Sequence, residues 1–249
     1  MKKTLRSLIA SGSMANQVCR IGLIAAVVLV SGCATRPPGI SANPADPFEP
    51  FNRSVSNFNE QVDNAVVKPV ATAYVKVLPS MVRTGVSNFF GNLGEVWNFT
   101  NSVLQLNPQR SAETFMRLNV NTFFGLGGLL DIATEVGIDR HNEDFGQTLG
   151  RWGVPPGPYV VLPILGPSTL RDTAAFPADR FGDAFRYVPN IEVRNYLTAL
   201  RLVDLRSGYL RAGQLLDDAA LDKYSFTRDA WLQKRRSDVF DGNPPDVEE

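Results

Sequence analysis

His141 is the only histidine of the 249 residues, so a hydrolase built on a Ser-His-Asp triad would have to use it as the base. Glu143 and Asp144 follow almost at once, placing two carboxylates beside that imidazole. The setting of a nucleophile is missing, because no G-x-S-x-G elbow occurs anywhere in the chain. The cluster reads more simply as a polar surface loop after a glycine turn, with Asp144 capping the helix that follows. Zinc would need several nitrogen or sulfur ligands, and the chain offers too few. Gly125-x-Gly127 lacks the third glycine of a dinucleotide fingerprint and follows a helical stretch, and no G-x-x-x-x-G-K-[ST] phosphate loop is present. Asp217-Asp218 reads as a solvated helix face. These residues predict no catalytic group, no metal and no cofactor.

One residue does carry chemistry. Lys2, Lys3, Arg6 and Arg20 supply positive charge with no acid before Cys33, and Ile21 to Val30 runs apolar for ten residues. That run is too short for a bilayer core, which needs ~20 residues, and a charged start with a short apolar core reads as a secretory signal. The exit Val30-Ser31-Gly32-Cys33 resembles the lipobox of bacterial lipoprotein precursors. That resemblance implies a diacylglycerol thioether on Cys33, cleavage before it and N-acylation; the alternative is an ordinary signal with a coincidental cysteine. Translation from Met14 would leave Arg20 as the signal's sole basic residue. Cys19 leaves with the signal, so the mature chain has no thiol for a disulfide or a nucleophile. Its net charge is about −4 once the four basic signal residues are gone, which points to neither nucleic acid nor anionic lipid.

The elements follow from periodicity. Residues 33–47 read as a lipidated N-terminus and proline-rich tether, residues 48–240 as one mainly α domain, and residues 241–249 as an acidic disordered tail. Phe51, Val55, Phe58, Val62 and Val66 share one helix face. Pro69 predicts the start of a second helix. Met81 to Trp97 predicts a longer one that contains Gly85, Gly91 and Gly94, and Asn107-Pro108 predicts the start of another running to Phe123-Phe124. Gly125-Leu126-Gly127-Gly128-Leu129-Leu130 reads as a flexible apolar loop. A Gly/Pro-rich centre follows over residues 146–167, with one strand-like run at Tyr159 to Leu162 whose flanking prolines argue against a central strand. Helical periodicity returns from Ile191 to Ala219 and from Tyr224 to Arg235.

A set of ordered segments then becomes recognisable: Asp46-Pro47-Phe48-Glu49-x-Phe51-Asn52-Arg53, Ser87-Asn88-Phe89-Phe90-Gly91-Asn92-Leu93, Gly125-x-Gly127-Gly128-Leu129-x-Asp131, Glu143-Asp144-Phe145-Gly146-Gln147-Thr148-Leu149, Gly157-Pro158-Tyr159 and Gly166-Pro167-Ser168. Together with Asp222-Lys223-Tyr224 and Arg228-Asp229, they resemble the MlaA/VacJ lipoprotein family over essentially the whole domain. Lys223 stands where that family pattern would place proline.

The resemblance implies a single compact domain of amphipathic helices forming a ring around an amphipathic channel. It implies an outer-membrane lipoprotein in the periplasmic leaflet beside a trimeric porin, taking misplaced phospholipid from the outer leaflet and passing it to a soluble periplasmic lipid carrier. Ala34 agrees, since aspartate there would favour inner-membrane retention. Periodicity alone favours an ordinary soluble core, because the same phenylalanine stripes would build one; the resemblance reverses that. Gly125, Leu126, Gly127, Gly128, Leu129 and Leu130 form a candidate channel gate, or else a tight connection whose leucines cap the core. Phe51, Asn52 and Arg53 are candidates for positioning the ring in the leaflet, with Phe51 on the apolar face and Asn52 and Arg53 toward headgroups or neighbouring loops, or else for plain packing. A structural, envelope-bridging lipoprotein and, less readily, a lipid hydrolase remain as other classes.

Overall fold

The computed structural model describes residues 43–245, so the signal, Cys33 and most of the tether lie outside it. The domain is mainly helical. Helix α1 (Glu49–Val62) runs through a π-turn (Asp63–Val67) into α2 (Lys68–Val77), and α3 (Ser80–Leu104) follows. Then come α4 (Pro108–Phe123), the short α5 (Ile132–Glu135) and α6 (Phe145–Arg151). Strands β1 (Tyr159–Leu162) and β2 (Gly166–Thr169) precede α7 (Leu170–Gly182) and a 3-10 turn (Ala184–Tyr187). Helices α8 (Ile191–Gly208), α9 (Leu210–Ala219) and α10 (Lys223–Val239) complete the chain.

Local chemistry accounts for these boundaries. Pro69 lacks the N–H that an α-helix would bond to the carbonyl four residues back, and its ring crowds that carbonyl. The π-turn just before it widens the spiral and leads into α2, which carries Pro69 in its first turn as expected. Asn107, Asp131, Asp144, Thr169, Asn190 and Asp222 each cap the helix they precede with a side-chain oxygen. Helix α3 is not interrupted by its glycines. The strand-like run pairs with β2 as an antiparallel hairpin, Tyr159 opposite Thr169 and Leu162 opposite Gly166, outside any larger sheet.

Two boundaries differ from expectation. The tether is docked rather than free near its end: Asp46 is fully buried, bonded to the Tyr224 hydroxyl at 2.5 Å and to Arg228 at 3.2 Å, while Ala45 accepts from Tyr159 N–H. A carboxylate with those partners has more to lose than chain entropy can return. Asp241, assigned to the acidic tail, lies 2.6 Å from Arg110 and 3.4 Å from Arg151, and Gly242 N–H closes a turn on Ser237.

The interior is the larger surprise. Among the described residues, buried polar and charged side chains outnumber buried hydrophobic ones, and the hydrophobic cluster is small: Tyr159, Val161 and Tyr224 with Val55, Trp231 and Leu232 packed on it. Phenylalanines, leucines and valines face outward along most helices, and α8 buries no residue at all. The apolar stripe running from α1 into the π-turn is split: Val55 packs on that cluster, Phe58 and Val66 are exposed, and the buried residue of α1 is Asn52. No described helix is long and apolar enough to cross a membrane.

Candidate functional site

Helices α3 and α4 form an antiparallel hairpin that buries its polar faces. Asn92 donates to Thr122 at 3.0 Å, Glu95 meets Arg117, and Phe99 packs on Phe115 with ring centroids 5.7 Å apart. Asn98, Asn101 and Ser102 extend the buried stripe on α3, as do Thr114 and Asn121 on α4. The opposite faces carry Met81, Val82, Val96, Val103, Phe115, Met116 and Phe123 to the surface. In water this sidedness is upside down; against acyl chains it is the favourable one.

At the centre of the hairpin sits an ionic knot. The fully buried Arg117 guanidinium reaches Glu95 at 3.3 Å, both carboxylate oxygens of Asp131 at 2.8 and 2.9 Å, and Thr134 at 3.1 Å. It also donates to the Ile138 carbonyl. Arg140 joins from the next loop, 3.2 Å from Glu95 and 3.5 Å from Asp131, and lies across Gly91, where a Cβ would meet it at 2.8 Å. Gly91 is therefore a packing glycine. Burial raises the Asp131 pKa, but hydrogen bonds from Thr134 and Asn121 and the Arg117 charge prevail and bring it to about 2.

Asp131 immediately follows the Gly125–Leu130 segment, so the knot anchors that loop. Backbone hydrogen bonds close the loop on itself and on α4. Gly127 N–H bonds to Thr122 O, Gly128 N–H to Asn121 O at 2.8 Å, and Leu130 N–H to Gly125 O at 2.9 Å. Leu126, Gly127 and Gly128 all take positive φ, which twists the chain into a left-handed turn. A side chain at Gly125 would strike the Leu130 and Asn121 carbonyls, and one at Gly128 would strike Asn92. The three leucines project outward, Leu126 at 70% exposure, so the reading in which they cap a core does not hold. Met81 and Val82 stand on the adjoining end of α3, since Asn88 donates to Leu129 O from the same helix.

The other end of the hairpin is polar. A cavity of about 1120 Å³ opens there between the Arg140–Asp144 loop, α6 and α10. Arg140 belongs both to the wall of this cavity and to the ionic knot, and so joins the leucine loop to the cavity. His141 Nε2 lies 2.5 Å from Glu113 Oε2. Burial pushes the Glu143 carboxyl up, although Gln105 and Arg110 bond to it. Asp144 is held below the ordinary carboxylate range: burial opposes this, but Arg235 at 2.6 and 2.7 Å prevails. Asp144 caps α6 as the sequence predicted. Each of these groups is thus committed to a structural partner.

In the segment Phe51–Arg53, Asn52 and Arg53 meet neighbouring elements, one of the two readings the sequence left open. Asn52 does not face headgroups: its amide donates to Asp46 at 2.8 Å and to Tyr159 O at 3.0 Å, and its oxygen accepts from Val161 N–H at 2.8 Å. Seven residues on, Asn59 repeats the grip, donating to Leu162 O and accepting from Ile164 N–H. Two asparagines on one face of α1 therefore take the place of a strand beside β1. Arg53 bonds to Glu49 and, through two nitrogens, to Asp222, with its guanidinium 4.4 Å from the centre of the Tyr224 ring. Phe51 is half-buried.

Glu95, Arg117 and Asn59 are not among the sites predicted from the sequence; Asn52 is, but not as the partner of Asn59 on the hairpin. The available signal was a polar stripe at helical spacing, Asn88, Asn92, Glu95, Asn98 and Asn101 on α3, with Arg117 between Met116 and Leu118.

Comparison with known proteins gives a consistent answer. The model of the family described as MlaA lipoprotein matches residues 44–238. The intermembrane phospholipid transport system lipoprotein MlaA of Escherichia coli is 36% identical over 211 residues, covering 83% of this chain and 82% of that protein. Its namesake in Haemophilus influenzae is 33% identical over 232 residues, covering 88% and 89%. A chain solved in work on the structural basis for maintenance of bacterial outer membrane lipid asymmetry aligns with a TM-score of 0.68 and 34% identity, over 80% of this chain and 99% of that one.

Proposed function

The chain belongs to the MlaA lipoprotein family, and from that premise we propose that it moves phospholipid between membranes and maintains outer-membrane lipid asymmetry. In this reading it sits in the periplasmic leaflet, takes misplaced phospholipid from the outer leaflet and hands it to a soluble periplasmic carrier, beside a trimeric porin. The observation that carries the proposal is the inverted sidedness of the α3–α4 hairpin, with apolar faces outward, a polar interior and a cavity at one end lined by charged side chains. Acyl chains match the exterior, while a headgroup needs a path that does not strip it of polar partners. Purification of the full chain from membranes tests this: phospholipid and a porin should accompany it. Retention of peptidoglycan fragments without lipid would favour the envelope-bridging alternative.

The anchor belongs to the same proposal. Acyl chains on Cys33, which lies outside the described residues, supply ~0.8 kcal/mol per buried CH₂, and two or more chains hold a protein persistently. Cys33→Ala should abolish labelling by radioactive palmitate. Label persisting on that variant would refute the assignment.

The leucine loop is proposed as the gate between bilayer and interior. Leu126 and Leu129 are exposed, so an arginine there need not be buried within the protein. Leu126→Arg and Leu129→Arg should therefore leave protein abundance near wild type while altering outer-leaflet phospholipid several-fold, because a cation is costly beside acyl chains. Wild-type asymmetry in both variants would leave the loop without a role in passage.

Passage needs no covalent step, and His141 is held by Glu113. His141→Ala should lose no more than about 1 kcal/mol of stability and retain lipid asymmetry. Loss of asymmetry with normal folding would favour a hydrolase.

A further inference from the structure

Among the described residues, the non-glycine residues in a left-handed backbone conformation are Leu106 (φ 56°), Leu126 (φ 54°), Ile164 (φ 68°) and Asp241 (φ 55°). Three of these positions close a helix. Asn107 N–H bonds back to Ser102 O at the end of α3, Gly127 N–H to Thr122 O at the end of α4, and Gly242 N–H to Ser237 O at the end of α10. The residue just before each donor makes the left-handed turn, a place where glycine is strongly preferred and asparagine comes next. Aspartate tolerates that turn, and Arg110 and Arg151 hold Asp241 in it. Leucine suits it poorly, because its Cβ crowds the following carbonyl oxygen. Ile164, at the tip of the β1–β2 hairpin, is worse placed still, being β-branched. The Asn59 side-chain oxygen keeps it there by accepting its N–H at 2.7 Å.

Water gives these three aliphatic side chains nothing in return. Leu106 is 87% exposed, Leu126 70% and Ile164 68%. The chain around each is also free of charge. Residues 96–109, 118–130 and 152–170 contain no Asp, Glu, Lys or Arg, and they are the three longest such stretches of the described residues. A patch that meets protein keeps a polar rim, whereas a surface stripped of charge along whole segments suits hydrocarbon. The tether keeps a membrane within reach. The ten residue steps from Cys33 to Asn43 span at most about 36 Å. Two residues on, Ala45 accepts from Tyr159 N–H at the base of the hairpin that ends in Ile164.

We propose that Leu106, Leu126 and Ile164 are pegs that enter the acyl layer and, with the anchor on Cys33, fix how the domain sits in its leaflet. The inference takes its membrane setting from the transport reading above and adds the residues that meet the bilayer. Transfer into hydrocarbon offsets the backbone strain, so aliphatic residues stand where glycine would close the turn more easily. The 16 residues of α4 set Leu106 and Leu126 about 24 Å apart. One leaflet offers about 15 Å of hydrocarbon, so α4 lies nearer to the membrane plane than to its normal.

The test uses the full lipidated chain in vesicles of phosphatidylethanolamine and phosphatidylglycerol. Cys33 is the sole cysteine after cleavage and its sulfur carries the acyl group, so Leu106→Cys, Leu126→Cys or Ile164→Cys takes a fluorophore selectively. Each label is quenched by nitroxide-bearing lipid or by aqueous iodide. All three should be quenched at least threefold more strongly by the lipid, and a label at the exposed Asp218 should show the reverse. A second measurement combines Leu106→Gly, Leu126→Gly and Ile164→Gly and reads a label at Phe123, exposed beside the leucine loop. Relief of the left-handed strain should leave the unfolding midpoint in detergent unchanged or raised, while lipid quenching at Phe123 falls at least twofold. Stronger quenching of the three tips by iodide would place them in water, and shielding from both quenchers would assign them to protein contact. Either result, or an unchanged depth of Phe123 in the folded glycine variant, would overturn the pegs while leaving transport standing. Tips seated among acyl chains in a protein that does not clear surface phospholipid would sink the transport reading and keep the pegs.

Discussion

Arg117→Leu should unfold the protein or remove it from the membrane fraction. The guanidinium is fully buried and bonded to Glu95, Asp131, Thr134 and the Ile138 carbonyl. Its loss leaves the buried Glu95 carboxylate with Arg140 as its only cation, at 3.2 Å, beside the Asn98 amide, and removes the Arg117 bonds to Asp131. Breaking one partner of a buried pair costs about 3–5 kcal/mol, a large part of the ~5–15 kcal/mol that holds a domain together. Arg117→Lys should fare little better, because an ammonium cannot span the same fork of acceptors. The informative control is Arg117→Met combined with Glu95→Gln, which removes one charge of each sign. The double variant should be less destabilised than the sum of its two single changes by about 1–3 kcal/mol in thermal or denaturant unfolding in detergent. Additive losses would mean that the two groups act separately and that the knot is not a unit.

Asn52→Ala should be nearly as damaging, and far more so than Phe51→Ala beside it. The amide is buried and supplies both partners of a two-point bond to β1, plus one to Asp46. Alanine leaves the Val161 N–H and the Tyr159 carbonyl without that partner, each worth about 1–3 kcal/mol when stranded. Asn52→Asp keeps the acceptor for Val161 but places a second carboxylate against Asp46, so it should not rescue. Asn59 still grips the far end of the hairpin in every case. Hydrogen exchange should therefore rise at the Val161 amide before it rises at Ile164. Uniform loss of protection across the hairpin would show that the two asparagines do not act as separate clasps.

Much of the secondary structure was legible because its determinants are local. Helix starts at Asn107 and Asp144 follow from capping, and the strand Tyr159–Leu162 from a short apolar run between prolines, though not its pairing with Gly166–Thr169. What the sequence withheld is which way each helix faces. Periodicity shows that Phe51, Val55 and Phe58 share a stripe, but the stripe points inward in water and outward against lipid, and the spacing is identical in both cases. The same ambiguity hid the ionic knot. Arg117 lies between two apolar residues and pairs with carboxylates 22 and 14 positions away, a distance no local pattern encodes. Pro69 marks the start of α2 as expected, but nothing in the residue types announces the π-turn that joins it to α1. The glycine loop was legible in place, but not the positive φ and the close approach to Asn92 and Leu130 that its glycines supply.

The central claim is that this chain clears phospholipid from the outer leaflet. Its most direct test is the phospholipid exposed at the cell surface, read by accessibility to an externally added phospholipase, in cells with and without the gene. Loss of the chain should raise surface phospholipid several-fold, and re-expression should return it to the starting level. Surface phospholipid that stays unchanged when the chain is removed would contradict the account.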